Sequence, residues 1–292
     1  MKRPRPLTVT ELKRHPLPPV AGGDKDTHGK LLIIAGSRAV PGAALLAAHG
    51  AMRAGAGKLK IAVPDGVAIP LGVAMPEAMV QGFATARDGG FTKSAVSGIA
   101  ELAEESDVIV AGPGMRGNPA SALLAETLCG LGAPIALDAA MLHVLPRSDK
   151  HARAARLPPI LLPHAGEMAS LLGCPEAAVE EDPLGCGRRC AELYGAVVLI
   201  KGVHSHVVGP DGDAWKFTGG ASGLGVSGSG DTLAGIVGGL LARGAKPLAA
   251  LLWAVWLHGE AGRRLSQRIG LVGFLAREIP GEIPALLQRS AL

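Results

Sequence analysis

Leu31-Leu32-Ile33-Ile34-Ala35-Gly36-Ser37, followed by Pro41-Gly42-Ala43-Ala44, joins a short apolar run to a glycine turn and then to the opening of an Ala/Leu-rich helix. Such a run, bounded by turn residues, reads as a strand buried on both faces, as in a parallel sheet. The same unit recurs outward from it. Strands are expected at 31–35, 59–63, 108–111, 134–137, 160–162 and 197–200, and helices at 42–54, 94–104, 120–128 and 186–194. Alternation of strand and helix predicts a layered α/β domain with a largely parallel sheet. Residues 206–208, the turn Gly209-Pro210-Asp211-Gly212, and residues 214–217 read as an antiparallel hairpin, so the sheet should be mixed at one edge. Helices follow at 232–243, 247–266 and 283–289. The reading is one domain, 27–292, after a loose N-terminal arm, 1–26.

Composition narrows the function. The 292 residues carry 29 Lys+Arg against 25 Asp+Glu, a formal charge of +4, too little asymmetry for a nucleic-acid surface. Aromatic residues are 3% of the chain, too few for base-stacking platforms, while 42 glycines suit tight turns around small ligands. No uncharged run approaches the roughly 18 residues of a membrane-spanning helix. The basic, proline-rich start lacks the apolar core of a secretory signal. A cytoplasmic protein is expected, with Cys129, Cys174, Cys186 and Cys190 as reduced thiols. Cys186 and Cys190 could share a helix face, but no second Cys/His pair stands at ligand spacing.

In an open α/β sheet, ligands bind beyond the carboxyl ends of the strands, so the residues after each strand matter most. The densest signal is Gly219-Gly220-Ala221-Ser222-Gly223-Leu224-Gly225-Val226-Ser227-Gly228-Ser229-Gly230-Asp231-Thr232, which runs directly into an Ala/Leu/Gly helix. N–H groups at a glycine-rich helix start have no partner within the helix and, with the helix dipole, form an anion site suited to phosphate. Gly223, Gly225 and Gly228 spell a dinucleotide fingerprint without its strand or its acid, and Gly225 and Gly230 a P-loop without its lysine. Asp231 at the mouth of such a cradle can accept the proton of a substrate hydroxyl as that oxygen attacks a phosphoryl group. The bland alternative is that Asp231 only favours the helix start.

These segments together resemble the ADP-dependent NAD(P)H-hydrate dehydratases of the ribokinase-like superfamily. The resemblance runs from about Thr27 to Leu287. It rests on 32–37 with 41–44, Arg53-Ala54-Gly55-Ala56-Gly57, Gly112-Pro113-Gly114, Leu137-Asp138-Ala139, Leu162-Pro163-His164-Ala165-Gly166-Glu167-Met168, Lys201-Gly202, and Gly228-Ser229-Gly230-Asp231-Thr232-Leu233-Ala234-Gly235. It implies a three-layer αβα ribokinase-like fold with a central, mostly parallel sheet. It also implies repair of the hydrated cofactors NADHX and NADPHX to NADH and NADPH, with ADP as co-substrate and AMP and phosphate released.

Residue by residue, the resemblance makes Asp231 the base and Gly228, Ser229 and Gly230 the anion hole, with Gly230 also touching nucleotide. Lys201, Gly202, Val203, His204 and Ser205 would lie along the nucleotide. Ala43, Gly114 and His164 would face the hydrated dinucleotide, and Glu167 would hold Mg2+ through water. A separate epimerase is the expected functional partner, since residues 1–26 are too short for the domain that carries it in fused relatives. A homo-oligomer is expected.

Two other functions compete. One is an ATP-dependent kinase of a small vitamin-precursor alcohol, which needs the same base and anion hole. The other is a nucleotide-binding sensor, which needs the glycines but no base. His258 reads as structural, Met75 and Met79 as core at helical spacing, Trp253 and Trp256 as core or interface, and Arg263, Arg264 and Arg268 as a solvated face.

Overall fold

A computed structural model describes residues 3–19, 28–145 and 157–290. In chain order its elements are β1 (Arg5–Pro6), α1 (Val9–Leu12), β2 (Lys30–Ile34), α2 (Gly42–Arg53), β3 (Lys58–Pro64), α3 (Asp65–Ala74), β4 (Ala78–Phe83), α4 (Ala95–Glu104), β5 (Val108–Ala111), α5 (Pro119–Gly130), β6 (Ile135–Leu137) and α6 (Ala140–His143). There follow β7 (Ile160–Leu161), α7 (Ala165–Leu172), α8 (Glu176–Glu181), α9 (Pro183–Tyr194), β8 (Val197–Ile200), β9 (Ser205–Val208), β10 (Ala214–Phe217), α10 (Ser229–Ala242), α11 (Pro247–Arg268) and α12 (Ile279–Ser290).

The strands form one sheet in the order β1-β10-β9-β8-β7-β6-β5-β2-β3-β4. All neighbours run parallel except β9, which is antiparallel to both β8 and β10, so the hairpin does mix one edge of the sheet. Side chains alternate across each strand. Leu31, Ile33 and Ala35 enter a core with residues of α2, α10, α11 and α12, while Leu32 and Ile34 enter a second core with residues of α4, α5, α7 and α9. Helix, sheet and helix therefore form three layers.

The tightest helix contact is between α2 and α10. A Cβ built on Gly235 would lie 2.0 Å from the Ala47 carbonyl oxygen, so no larger residue fits there without the helices parting. This closeness brings the first turns of both helices to one rim of the sheet.

Two expectations need correction. The described part of the segment expected to be a loose arm, residues 3–19, is docked. β1 pairs with β10, Leu12 is fully buried, the Trp215 indole donates to Glu11 Oε1 at 2.9 Å, and the Trp253 indole donates to the His15 carbonyl at 2.8 Å. Two indole N–H groups would otherwise be buried unpaired, a loss of the kind that fixes a strap in place. Removing residues 1–19 is expected to lower stability by about 3 kcal/mol or more, through the buried leucines alone, and to shift tryptophan emission to the red. An unchanged spectrum and melting temperature would contradict the docking.

Met79, read as helical core, lies instead on β4 and is 47% exposed, while Met75 is buried at the end of α3. The six-residue register with β3 makes 78–83 a strand even though Gly82 interrupts its apolar pattern.

Candidate active site

β2 is flanked by β5 on one side and β3 on the other, so the chain reverses its direction of sheet growth between β2 and β5. A crevice opens outside the carboxyl ends at such a point. The loops after these strands are tied together, with Gly36 N donating to the Pro113 carbonyl at 2.7 Å and Gly112 N to the Ile34 carbonyl at 3.1 Å. Ala43, in the first turn of α2, and Gly114 meet here, since a Cβ on Gly114 would lie 2.5 Å from the Ala43 Cβ. An apolar cavity of about 540 Å³ opens beside them between α2 and α3, lined by Arg38, Pro41, Gly42, Leu45 and Val67 among others.

α10 begins beside α2. Its cap residue, Gly228, has a φ of 88°, so the turn favours glycine, and a Cβ there would also press on the Leu46 side chain of α2. Ser229 N donates to the Val226 carbonyl at 3.2 Å and Thr232 N to the Gly228 carbonyl at 3.0 Å. Among the described residues that leaves the N–H groups of Gly230 and Asp231 without a partner. The Ser229 side chain turns inward, its Oγ lying 3.0 Å from His258 Nε2. That same nitrogen lies 3.1 Å from the Ser229 carbonyl, which can only accept, so Nε2 carries the hydrogen. Burial pushes the pKa of His258 down to about 4, and the imidazole is a neutral strut under the helix start.

Asp231 faces a charged group. Burial, then the negative charge of Asp138, push its pKa up to about 6, with Lys201 pulling the other way. Lys201 Nζ is 2.7 Å from Asp138 Oδ1 and 3.7 Å from Glu167 Oε2. Burial works against the ammonium, but Asp138, Glu167 and Asp231 outweigh it and hold its pKa above the ordinary lysine range. Asp138 is read from the sequence only as part of the Leu137-Asp138-Ala139 segment and given no role at the site. Its signal was present, an acid immediately after a wholly buried strand.

His164 and Glu167 build the start of α7 as a reciprocal cap. His164 Nδ1 accepts from the N–H of Gly166 at 3.1 Å, and Glu167 Oε2 accepts from the N–H of His164 at 2.9 Å. The imidazole ring remains more than half exposed at the rim. Lys201 N donates to the Pro163 carbonyl at 2.9 Å, which locks the α7 start against the end of β8. Gly202, Val203 and His204 form the exposed connection to β9, with Val203 93% exposed, and Ser205 begins β9. The residues expected at the site thus converge from α2, the β5 loop, α7, the β8–β9 connection and α10 onto one rim.

A raised Asp231 pKa sets a pH dependence. A carboxylate serves as a base only when ionised, so with Asp231 as the base of a reaction kcat/KM would fall about tenfold per unit below pH about 6 and level off above it. A profile flat down to pH 5 would exclude Asp231 as the base.

The family model described as NAD(P)H-hydrate dehydratase matches residues 31–285. The ADP-dependent (S)-NAD(P)H-hydrate dehydratase of Xanthomonas campestris is 44% identical over 288 residues, 98% of this chain and 97% of that protein. The crystal structure of the ADP/ATP-dependent NAD(P)H-hydrate dehydratase of Bacillus subtilis, co-crystallized with ATP and Mg2+, superposes with a TM-score of 0.82 at 28% identity, covering 99% of this chain and all of that one. Arabidopsis thaliana ribokinase, at 12% identity and a TM-score of 0.57 over 89% of this chain and 99% of that one, shares the fold alone. A family model matching most of the chain and 44% identity over 98% of it place the chain in the NAD(P)H-hydrate dehydratase family, on the ribokinase-like fold.

Proposed function

We propose that this protein removes water from the S epimers of NADHX and NADPHX with ADP as phosphoryl donor, and that Asp231 is the base that starts the reaction. The observation that carries the reading is a carboxylate with a pKa of about 6 at a helix start where, among the described residues, the Gly230 and Asp231 N–H groups have no partner and the Lys201 ammonium stands beside Gly230. The ring hydroxyl oxygen attacks the β-phosphorus of ADP, its proton passes to the Asp231 carboxylate, and the bond to AMP breaks. Hydroxide leaves carbon poorly and phosphate leaves well. The C–O bond of the phosphate ester then breaks with its electron pair going to phosphate, the ring nitrogen lone pair fills in behind it, and loss of the neighbouring C–H proton restores the dihydropyridine.

In this reading Gly230 and Asp231 donate backbone N–H groups to the phosphoryl oxygens, and Gly228 supplies the turn that aims them. Lys201, Gly202, Val203, His204 and Ser205 flank the nucleotide. Ala43, Gly114 and His164 face the dinucleotide. Among the described residues no group of three His, Cys, Asp or Glu side chains could hold a metal. In this reading a Mg2+ would arrive on the nucleotide phosphates, and Glu167 would reach it through water. Bound there, Mg2+ would screen phosphate charge.

An epimerase acting on the same hydrates is the proposed functional partner, and the proposed compartment is the cytoplasm. Among the described residues no helix is long and apolar enough to cross a membrane. A homo-oligomer belongs to the same proposal. Ile69 and Val73, one turn apart on α3, are 82% and 80% exposed, apolar surface that a second copy would cover. A monomeric mass by light scattering would remove that part.

The test incubates the protein with NADHX, ADP and Mg2+. Growth of the dihydronicotinamide absorbance together with AMP is expected. Its absence, alongside ATP-dependent phosphorylation of a small alcohol, would replace the dehydratase with the kinase.

A further inference from the structure

Asp138 stands one residue past β6 and is 3% exposed. Its Oδ1 accepts from the N–H of Ala139 at 2.9 Å and from Lys201 Nζ at 2.7 Å. Ala139 has a φ of 48°, a left-handed backbone that costs a residue with a Cβ on the order of 1–3 kcal/mol and persists where the surroundings demand it. The turn that carries Asp138 is thus held rigidly against its own preference.

Lys201 Nζ lies 3.8 Å from the point where a Cβ on Gly230 would stand, and Asp138 Oδ2 lies 4.0 Å from the same point. The pair therefore meets at the second residue of α10, beside the N–H groups of Gly230 and Asp231. A buried ion pair is weak evidence for stability, because desolvation of both ions offsets most of their attraction. Its place at a helix start with vacant donors gives it another use.

We propose that Asp138 is a positioning residue, which holds the Lys201 ammonium over the start of α10 where that ammonium faces the phosphoryl group cradled by the Gly230 and Asp231 N–H groups. The proposal rests on the phosphoryl-transfer reading above. The charged groups facing Asp231 are Asp138, from the turn after β6, and Lys201, from the end of β8. Glu167, from the start of α7, reaches Lys201, and His258 of α11 is neutral. Asp138 and Lys201 therefore act on Asp231 with opposite signs.

The test titrates the Asp231 carboxyl carbon by NMR in the nucleotide-free parent, Asp138→Asn and Lys201→Met, and measures kcat and the KM for ADP in each. Asp138→Asn is expected to move the Asp231 midpoint down and Lys201→Met to move it up. Asp138→Asn should also lower kcat by roughly tenfold to a hundredfold, the usual cost of losing an orienting partner, with a smaller change in KM. Asp138→Glu should restore part of that loss. Loss of the Asp138 charge moves the Asp231 midpoint whatever its role, so the positioning role is read from a fall in kcat without a matching change in KM and from its partial rescue by Asp138→Glu, neither of which a merely structural role would give. Midpoints unmoved in both variants, or an Asp138→Asn protein with the parent's kcat, would overturn the proposal. If Asp138→Asn fails to fold, Asp138→Glu and Lys201→Met carry the same comparison. Midpoints that move as expected in a protein with no dehydratase turnover would uphold the contact and sink the reaction instead.

Discussion

Asp231→Asn is expected to lower dehydratase turnover by roughly 10² to 10⁴, the usual worth of general-base catalysis, while ADP affinity changes little. The substitution keeps the size of the side chain and the backbone N–H groups, so the cradle for phosphate survives. What it removes is the acceptor for the hydroxyl proton. Stability should move the opposite way. The folded-state pKa of about 6 stands above the ordinary 3.8, so ionising Asp231 works against folding. That penalty is absent below pH 3.8, grows between 3.8 and about 6, and is fully present above, where a shift of this size amounts to about 3 kcal/mol. Above pH 6 the Asn variant should therefore melt higher than its parent while turning over far more slowly. A variant with the parent's rate would favour a sensor, or a different base.

The second large effect lies in the packing beneath the site. Gly235→Ala places a methyl group 2.0 Å from the Ala47 carbonyl oxygen, a separation no pair of non-bonded atoms tolerates. Backbone on both sides leaves no flexible side chain to swing away, so α2 and α10 must part. Overpacking costs about 1–3 kcal/mol and occasionally more, and a clash with a carbonyl on a buried helix belongs at the upper end. Asp231 stands one turn before Gly235, so the same shift misplaces the base. Stability and turnover are expected to fall together, with the denaturation midpoint lowered and its slope unchanged. A Gly235→Ala protein as stable as its parent would mean that the two helices do not touch as described.

The strands that the sequence made legible are those whose residues are apolar on both faces. The runs 108–111 and 197–200 coincide with β5 and β8, and 31–35 falls within a residue of β2, because burial on both sides leaves nothing to interrupt the pattern; 59–63 also falls within a residue of β3, although Lys60 breaks its apolar run. The edges were not legible. β4 mixes Gln81 and Gly82 with apolar residues because it is the edge strand of the sheet, and β1 is two residues long, paired with β10, while the segment after it is held at Glu11 and His15 by indoles more than 200 positions away. At the site, the glycine-rich approach to α10 announced the N–H groups and Asp231 by residue type alone. Asp138 did not stand out, since an acid after a strand is ordinary until Lys201, 63 positions later, is brought within 2.7 Å of it. Nor could spacing show that Ser229 turns inward to His258, a contact made across two helices.

The central claim is that the substrate hydroxyl is phosphorylated before it leaves, with Asp231 taking its proton. NADHX bearing heavy oxygen in its ring hydroxyl, turned over with unlabelled ADP in ordinary water, tests this most directly. The released phosphate is expected to carry the heavy oxygen, one atom per phosphate. Unlabelled phosphate, with the heavy oxygen recovered in water, would show that the hydroxyl departs without ever bonding to phosphorus and would contradict the account.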